Sequence, residues 1–231
     1  MHRSGTSCLA GSLQQHGVHL GQVFEENPHN KKGNRENADI LNLNNDLLAY
    51  NGGSWDSPPS EIHWSKEHEK SRDAIITGFL ESKSDFWGFK DPRNLITFEF
   101  WMDGLRNVKI NLIGSYRNPL LAAKSLNARN KMPMGEGMSL WGIYNKKLIE
   151  LYETKNFPIV SFDVEVEKYK RSIDWVLDTL EVPSNPNITE RFFDESLRHE
   201  NGADLADFTE VPDAIKALYR QLNDIYQGQK I

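Results

Sequence analysis

The chain has little of what would place it in several common classes of protein. It contains a single cysteine, Cys8, which excludes an internal disulfide and suits a reducing compartment. Its apolar runs are all shorter than the roughly 18 residues that a membrane helix requires. It also shows no internal repeat and no low-complexity tract. We therefore predict a globular, cytoplasmic protein without a membrane segment.

The chain also has fewer positively charged than negatively charged residues. Lysine and arginine number 27 against 33 aspartates and glutamates, which gives a net charge of −6. Proteins that bind nucleic acid usually present a broad basic face, so we predict no nucleic-acid partner and expect any anion site to be local. A chain of 231 residues can bury a substantial core, and we predict a single domain over residues 1–231.

Apolar periodicity predicts both helices and strands. Helical spacing is found over residues 5–16, 36–50, 61–83, 119–130, 138–154, 173–180 and 211–228. Strands are predicted at residues 86–90, 108–116 and 158–163. Strands that alternate with helices predict an α/β fold, with three layers (α/β/α) around a central parallel sheet. Ligands of such sheets bind at the carboxyl ends of the strands.

Cations follow two of the predicted strands. Lys90 and Arg93 lie in "KDPRN", where Asp91 is suited to cap a helix, and Arg117 precedes a second capping residue, Asn118. A helix N-terminus with an arginine beside it is a natural phosphate site. Capping alone accounts for either motif, but their repetition at one sheet edge favours an anionic ligand.

The first residues of the chain form a third motif of this kind. In "MHRSGTS", Arg3 precedes a Ser-Gly-Thr-Ser cluster that leads into a predicted helix. The free backbone N–H groups and hydroxyls of such a loop donate to an anion together with the helix dipole. Three such motifs predict a ligand with more than one anionic group, spread over neighbouring strand ends.

These motifs, taken in order, resemble a known family. "HRSGTSCLAGSLQQHGVHLG" is similar to the 5′-phosphosulfate loop of sulfotransferases that use 3′-phosphoadenosine 5′-phosphosulfate (PAPS). "RNPLLAAKSL" resembles their 3′-phosphate motif, and "WGFKDPRN", "LNNDLLAYNGGSWDSPP", "LWGIYNKKLIELYE" and "SLRH" fit the same group. The resemblance runs from residue 1 to about residue 200 and implies the P-loop-NTPase-like sulfotransferase fold.

The resemblance also bears on the start of the chain. In relatives a short apolar strand precedes the phosphosulfate loop, so the resemblance implies that the N-terminal strand is missing here. We accordingly expect the natural reading frame to extend upstream by about 6–12 residues.

The resemblance assigns roles to individual residues. It implies that the 5′-phosphosulfate is bound by the loop residues Ser4, Gly5, Thr6 and Ser7. Arg3 would stabilise the leaving phosphate oxygen.

At the other strand ends, Arg117 and Ser125, eight residues apart, would bind the 3′-phosphate. Lys90 would point at the sulfuryl group or the acceptor, with Arg93 supporting it, and Arg198 would contact the nucleotide. The product would be 3′,5′-ADP, and no metal is implied.

Transfer to a hydroxyl also requires a base. The family uses a glutamate or a histidine, and Glu36 is the candidate here, with His2 and His199 as alternatives. The acceptor is expected to be a small molecule or a glycan, bound among the loops 17–34, 51–60 and 131–138.

Two other functions compete with this one. The first is a non-catalytic or inactive nucleotide-binding fragment of the same fold. The second is a P-loop nucleotide kinase, whose loop would read G-x-x-x-x-G-K-[ST]. Here Gly5 is followed by Thr6 and Ser7 without a lysine, and the sequence shows no persuasive strand-end carboxylate for Mg²⁺.

Overall fold

The computed structural model describes residues 1–26, 32–185, 187–188, 192–193 and 208–229. Over these residues the chain is mixed α/β and mostly helical. The helices are α1 (Thr6–Gln15), α2 (Ala38–Tyr50), α3 (Lys66–Glu81), α4 (Phe98–Gly104), α5 (Pro119–Asn130), α6 (Met134–Lys155), α7 (Val166–Thr179) and α8 (Asp213–Gly228). Short 3-10 helices span Pro92–Leu95 and Phe208–Glu210.

Two short strands form a parallel sheet. Strand β1 (Gly114–Tyr116) pairs with β2 (Ile159–Ser161), with Ser115 opposite Val160. Successive residues of β2 enter different apolar clusters: Ile159 packs with residues of α5, α6 and α8, and Val160 with residues of α1 and α7. Because side chains alternate along a strand, helices cover both faces of the sheet.

A third apolar cluster lies between α2, α3 and α4 and contains Ile40, Phe79 and Phe100. The outer edge of β2 is closed by the side-chain amide of Gln229. The backbone N–H of Ile159 donates to Oε1 of Gln229 at 2.8 Å, and Nε2 of Gln229 donates to the Ile159 carbonyl at 2.7 Å. The amide thus takes the place of a neighbouring strand.

Most predicted helices are confirmed within a few residues. The segment predicted at 119–130 forms α5 with those bounds, and Asn118 caps it by accepting from the backbone N–H groups of Leu120 and Leu121. Helix α6 begins at Met134, so most of the predicted connector 131–138 is helical. The cap predicted at Asp91 is confirmed, because its side chain accepts from the backbone N–H of Arg93 at the start of the 3-10 helix. Helix α4 was not predicted.

The strand predictions were only partly right. Residues 86–90 form no strand: Trp87 makes one isolated parallel bridge, to His19, and its ring stacks on Phe79 at 5.0 Å. Packing of these aromatic rings against the helices replaces a strand ladder here. Of residues 108–116 only the last three are strand. The ladder ends at Pro158, which accepts from Gly114 but has no N–H to continue it.

The described part of the chain has no helix with both the length and the apolar character needed to cross a bilayer. The parallel sheet with helices on both faces agrees with an α/β architecture. It is smaller than the central sheet that the sequence analysis predicted.

Candidate functional site

The loop of residues 3–7, here called the opening loop, lies on the carboxyl ends of the two strands. Ser115 of β1 donates its hydroxyl to the carbonyl of Ser4 at 2.6 Å. Gly5 has a φ of +78°, and a Cβ built on it would lie 2.3 Å from the ring of Phe162, just after β2. Glycine is therefore required at this position both by the backbone and by the close approach of the ring. Helix α1 then begins at Thr6 and directs its first N–H groups toward the loop.

Lys90 brings three separate segments together. Its Nζ donates to Oε1 of Glu36 at 2.7 Å, to the hydroxyl of Ser7 at 3.3 Å and to the carbonyl of Asn34 at 3.1 Å. The lysine and glutamate side chains are only 13% and 8% exposed, so water screens their ion pair little. The candidate base, the candidate cation and a hydroxyl of the opening loop thus meet at one ammonium group.

Arg3 connects the opening loop to α5. Its Nε donates to the hydroxyl of Ser125 at 2.8 Å. Its backbone has a φ of +62°, in the left-handed region that non-glycine residues seldom occupy. Such backbone strain persists where surrounding contacts impose it, and it is concentrated at functional sites.

Arg117 lies at the end of β1, where the sequence placed it. Its Nε donates to Oδ1 of Asp163 at 3.2 Å, and the backbone N–H of Asn118 donates to Oδ2 of the same residue at 2.5 Å. Asp163 was missed by the sequence analysis, which found no persuasive strand-end carboxylate. It follows β2 by two residues, so the rule that identified Arg117 would also have identified it. A carboxylate therefore lies at the N-terminus of α5.

Arg93 and Asp91 form a buried pair beneath the site. Nη1 of Arg93 donates to Oδ1 of Asp91 at 2.9 Å. Burial raises the pKa of Asp91, and the charge of Arg93 opposes that rise. Arg93 was expected to support Lys90, and its guanidinium pairs with Asp91, the residue that immediately follows Lys90.

His2, an alternative base, lies in an aromatic pocket. Its ring centroid is 4.6 Å from that of Trp55 and 6.1 Å from that of Tyr144. Burial lowers the pKa of His2 well below its ordinary value, and the charges of Arg93 and Lys90 lower it further. The imidazole is consequently neutral at pH 7.

Several buried polar atoms around these residues have no hydrogen-bond partner within the described part of the chain. They are Nδ1 of His2, Oγ of Ser4, Oδ2 of Asp91 and Nε of Arg93. Buried polar atoms are almost always paired, and exceptions concentrate where a ligand or water is bound. Their grouping beside the opening loop and the strand ends is the pattern that a polar ligand site requires.

The remaining predicted residues and regions are placed as follows. Arg198 and His199 lie outside the described residues.

A groove of about 620 Å³ lies between α2 and α3, and Asn37, the residue after Glu36, is one of its lining residues. Its walls include Asp39, Asp46 and Phe79. Among the described residues, no group of three His, Cys, Asp or Glu side chains is placed to hold a metal ion.

Comparisons of the chain with family models, with curated proteins and with solved structures found no match. The functional interpretation accordingly depends on the motifs and on the contacts described above.

Proposed function

We propose that the chain is a PAPS-dependent sulfotransferase with a P-loop-NTPase-like sulfotransferase fold. It would move the sulfuryl group of PAPS to an acceptor hydroxyl and release 3′,5′-ADP, without a metal. The partners are PAPS and a hydroxyl-bearing small molecule or glycan. The single cysteine supports a location in the cytoplasm.

The observation that carries this proposal is the position of Lys90 between Ser7 and Glu36. Sulfuryl transfer needs donors for the sulfonate oxygens, a cation for the developing charge and a base for the acceptor proton. In the transfer the acceptor oxygen forms a bond to sulfur while the bond from sulfur to the 5′-phosphate oxygen breaks. The acceptor proton passes to the carboxylate of Glu36. Arg3 stabilises the negative charge left on the phosphate, and Lys90 points at the sulfuryl group or the acceptor.

The 3′-phosphate would bind near Arg117 and Ser125. The contact between Arg3 and Ser125 supports this placement, because it makes the opening loop and the proposed 3′-phosphate site adjacent. The carboxylate of Asp163 accepts from Nε of Arg117 and from the backbone N–H of Asn118, so a 3′-phosphate would have to displace it from these donors. The groove between α2 and α3 is lined in part by His19 and Gly21 of the loop 17–34, one of the regions expected to bind the acceptor.

One observation favours a second candidate, a nucleotide-binding module without turnover. The carboxylate of Glu36 is held by Lys90 at 2.7 Å, so its Oε1 already accepts a hydrogen bond from the ammonium group. Acceptor binding would have to draw the two side chains apart before Glu36 takes a proton.

The decisive experiment is a thermal-shift titration of the chain with 3′,5′-ADP, ADP and ATP–Mg²⁺. The sulfotransferase proposal predicts the largest rise in Tm with 3′,5′-ADP, because a ligand that binds only the native state stabilises it. Equal shifts with ADP and 3′,5′-ADP would contradict the proposal, and the largest shift with ATP–Mg²⁺ would favour a kinase. Transfer of label from radiolabelled PAPS to a panel of hydroxylated small molecules and glycans then separates an enzyme from a binding module.

A further inference from the structure

Phe162, the first residue after β2, contacts two parts of the proposed donor site. Its ring packs so closely on Gly5 that a Cβ there would lie 2.3 Å from a ring carbon. The Cζ of Arg117 lies 5.5 Å from the ring centroid, a cation–π distance. The same ring therefore contacts the opening loop and the arginine assigned to the 3′-phosphate.

The ring is itself held firmly. It is 6% exposed, and it meets the rings of Tyr169 and Phe193 edge to face at 5.8 and 6.0 Å. Close-packed interiors yield little to local force, and a phenyl ring has no internal flexibility. The positions of Gly5 and Arg117 consequently both depend on contact with one side chain that is itself held in place.

We propose that Phe162 is a positioning residue that sets the separation between the 5′-phosphosulfate loop and the 3′-phosphate cation. This inference rests on the proposed function. The separation between the two subsites would determine the specificity for a nucleotide that carries both phosphates. When two subsites are held at the span of the ligand, binding of one phosphate presents the other at high effective concentration, and that advantage falls when the span varies.

The test compares the affinities of 3′,5′-ADP, 5′-AMP and 3′-AMP by isothermal titration calorimetry. In Phe162→Leu we expect the affinity for 3′,5′-ADP to fall about tenfold, while that for either monophosphate changes by no more than about twofold. If Phe162 only stabilised the fold, its replacement would not change the ratio of the affinity for the bisphosphate to the affinities for the monophosphates.

The matched control is Phe100→Leu, which makes the same change in the third apolar cluster, between α2, α3 and α4. It should leave the advantage of the bisphosphate unchanged, and Phe162→Tyr, which keeps the ring, should keep that advantage as well. If Phe162→Leu does not fold, Phe162→Met replaces it, because methionine fills similar apolar volume without a ring.

The outcomes separate this inference from the proposed function. If the wild-type chain binds none of the three nucleotides, the proposed function is wrong and the inference falls with it. If the wild-type chain prefers the bisphosphate and the leucine and methionine variants keep that preference, the inference alone is overturned. An equal loss of the preference in Phe100→Leu would also overturn it, since general packing would then explain the effect.

Discussion

Arg3 and Ser125 are 122 residues apart in the chain, yet Nε of the arginine donates to the hydroxyl of the serine at 2.8 Å. The sequence analysis assigned the first to the 5′-phosphosulfate and the second to the 3′-phosphate. Their contact makes these two parts of the proposed donor site direct neighbours. Changes on either side should therefore alter nucleotide selection.

Removal of the Arg117 guanidinium should abolish the preference for 3′,5′-ADP over ADP. Truncation of Arg117 alone would leave Asp163 without its cation, so the informative variant combines Arg117→Ala with Asp163→Asn. We expect equal thermal shifts with the two nucleotides in this double variant. Arg106→Ala, at a position whose side chain is 74% exposed, should keep the preference. If the double variant still prefers 3′,5′-ADP over ADP, Arg117 does not bind the 3′-phosphate.

Glu36→Gln should separate binding from turnover. Glutamine still accepts a hydrogen bond from Lys90, so the Kd for 3′,5′-ADP should stay near that of the wild type. Transfer from PAPS should fall by at least about 100-fold, the usual contribution of a general base. Glu25→Gln, an exposed carboxylate of the same segment, is the control and should retain activity. If Glu36→Gln keeps its turnover, Glu36 is not the base.

Gly5→Ala should destabilise the chain far more than a glycine change at similar backbone angles elsewhere. Gly52 has a φ of +71° and open space around its Cβ position, so Gly52→Ala carries backbone strain alone, about 1 kcal/mol. Gly5→Ala adds the clash with Phe162, and we expect a total loss of about 3 kcal/mol or more. Urea denaturation measures both free energies of unfolding. Similar losses in the two variants would show that the loop moves freely off the ring.

Acidification should destabilise the chain through His2. The unfolded chain binds a proton at this residue near pH 6.5, while burial lowers the pKa of the folded form well below that value. The unfolded state thus binds more protons, and stability falls as the pH drops below about 6.5, by up to about 1.4 kcal/mol per pH unit.

The variant that isolates this effect is His2→Phe, which keeps a ring against Trp55 and Tyr144. Its free energy of unfolding should depend less on pH than that of the wild type over about pH 5 to pH 7. Asp91 acts in the opposite direction, because its raised pKa stabilises the folded chain as the pH falls, but it is present in both proteins. Parallel pH profiles for the two proteins would show that His2 is accessible to protons in the folded state.

Local signals in the sequence were sufficient for most of the helices and for the cap of α5, but not for α4. Asn118 followed by a proline predicted the start of α5, because capping and the fixed φ of proline act within a few residues. The strand prediction at residues 86–90 failed, since an aromatic run fits a strand and a helix-packed loop equally well. The outcome there depended on Phe79, which lies on another element.

The sequence by itself determined which residues are charged, which segments are helical and which motifs follow the strands. Only the tertiary structure decided how these motifs meet: Lys90 with Glu36 and Ser7, Arg3 with Ser125, and Phe162 between Gly5 and Arg117. The physical reason is the distance along the chain over which each kind of interaction acts. Periodicity and capping depend on neighbours within about one or two helical turns, whereas these contacts join distant segments that only folding brings together.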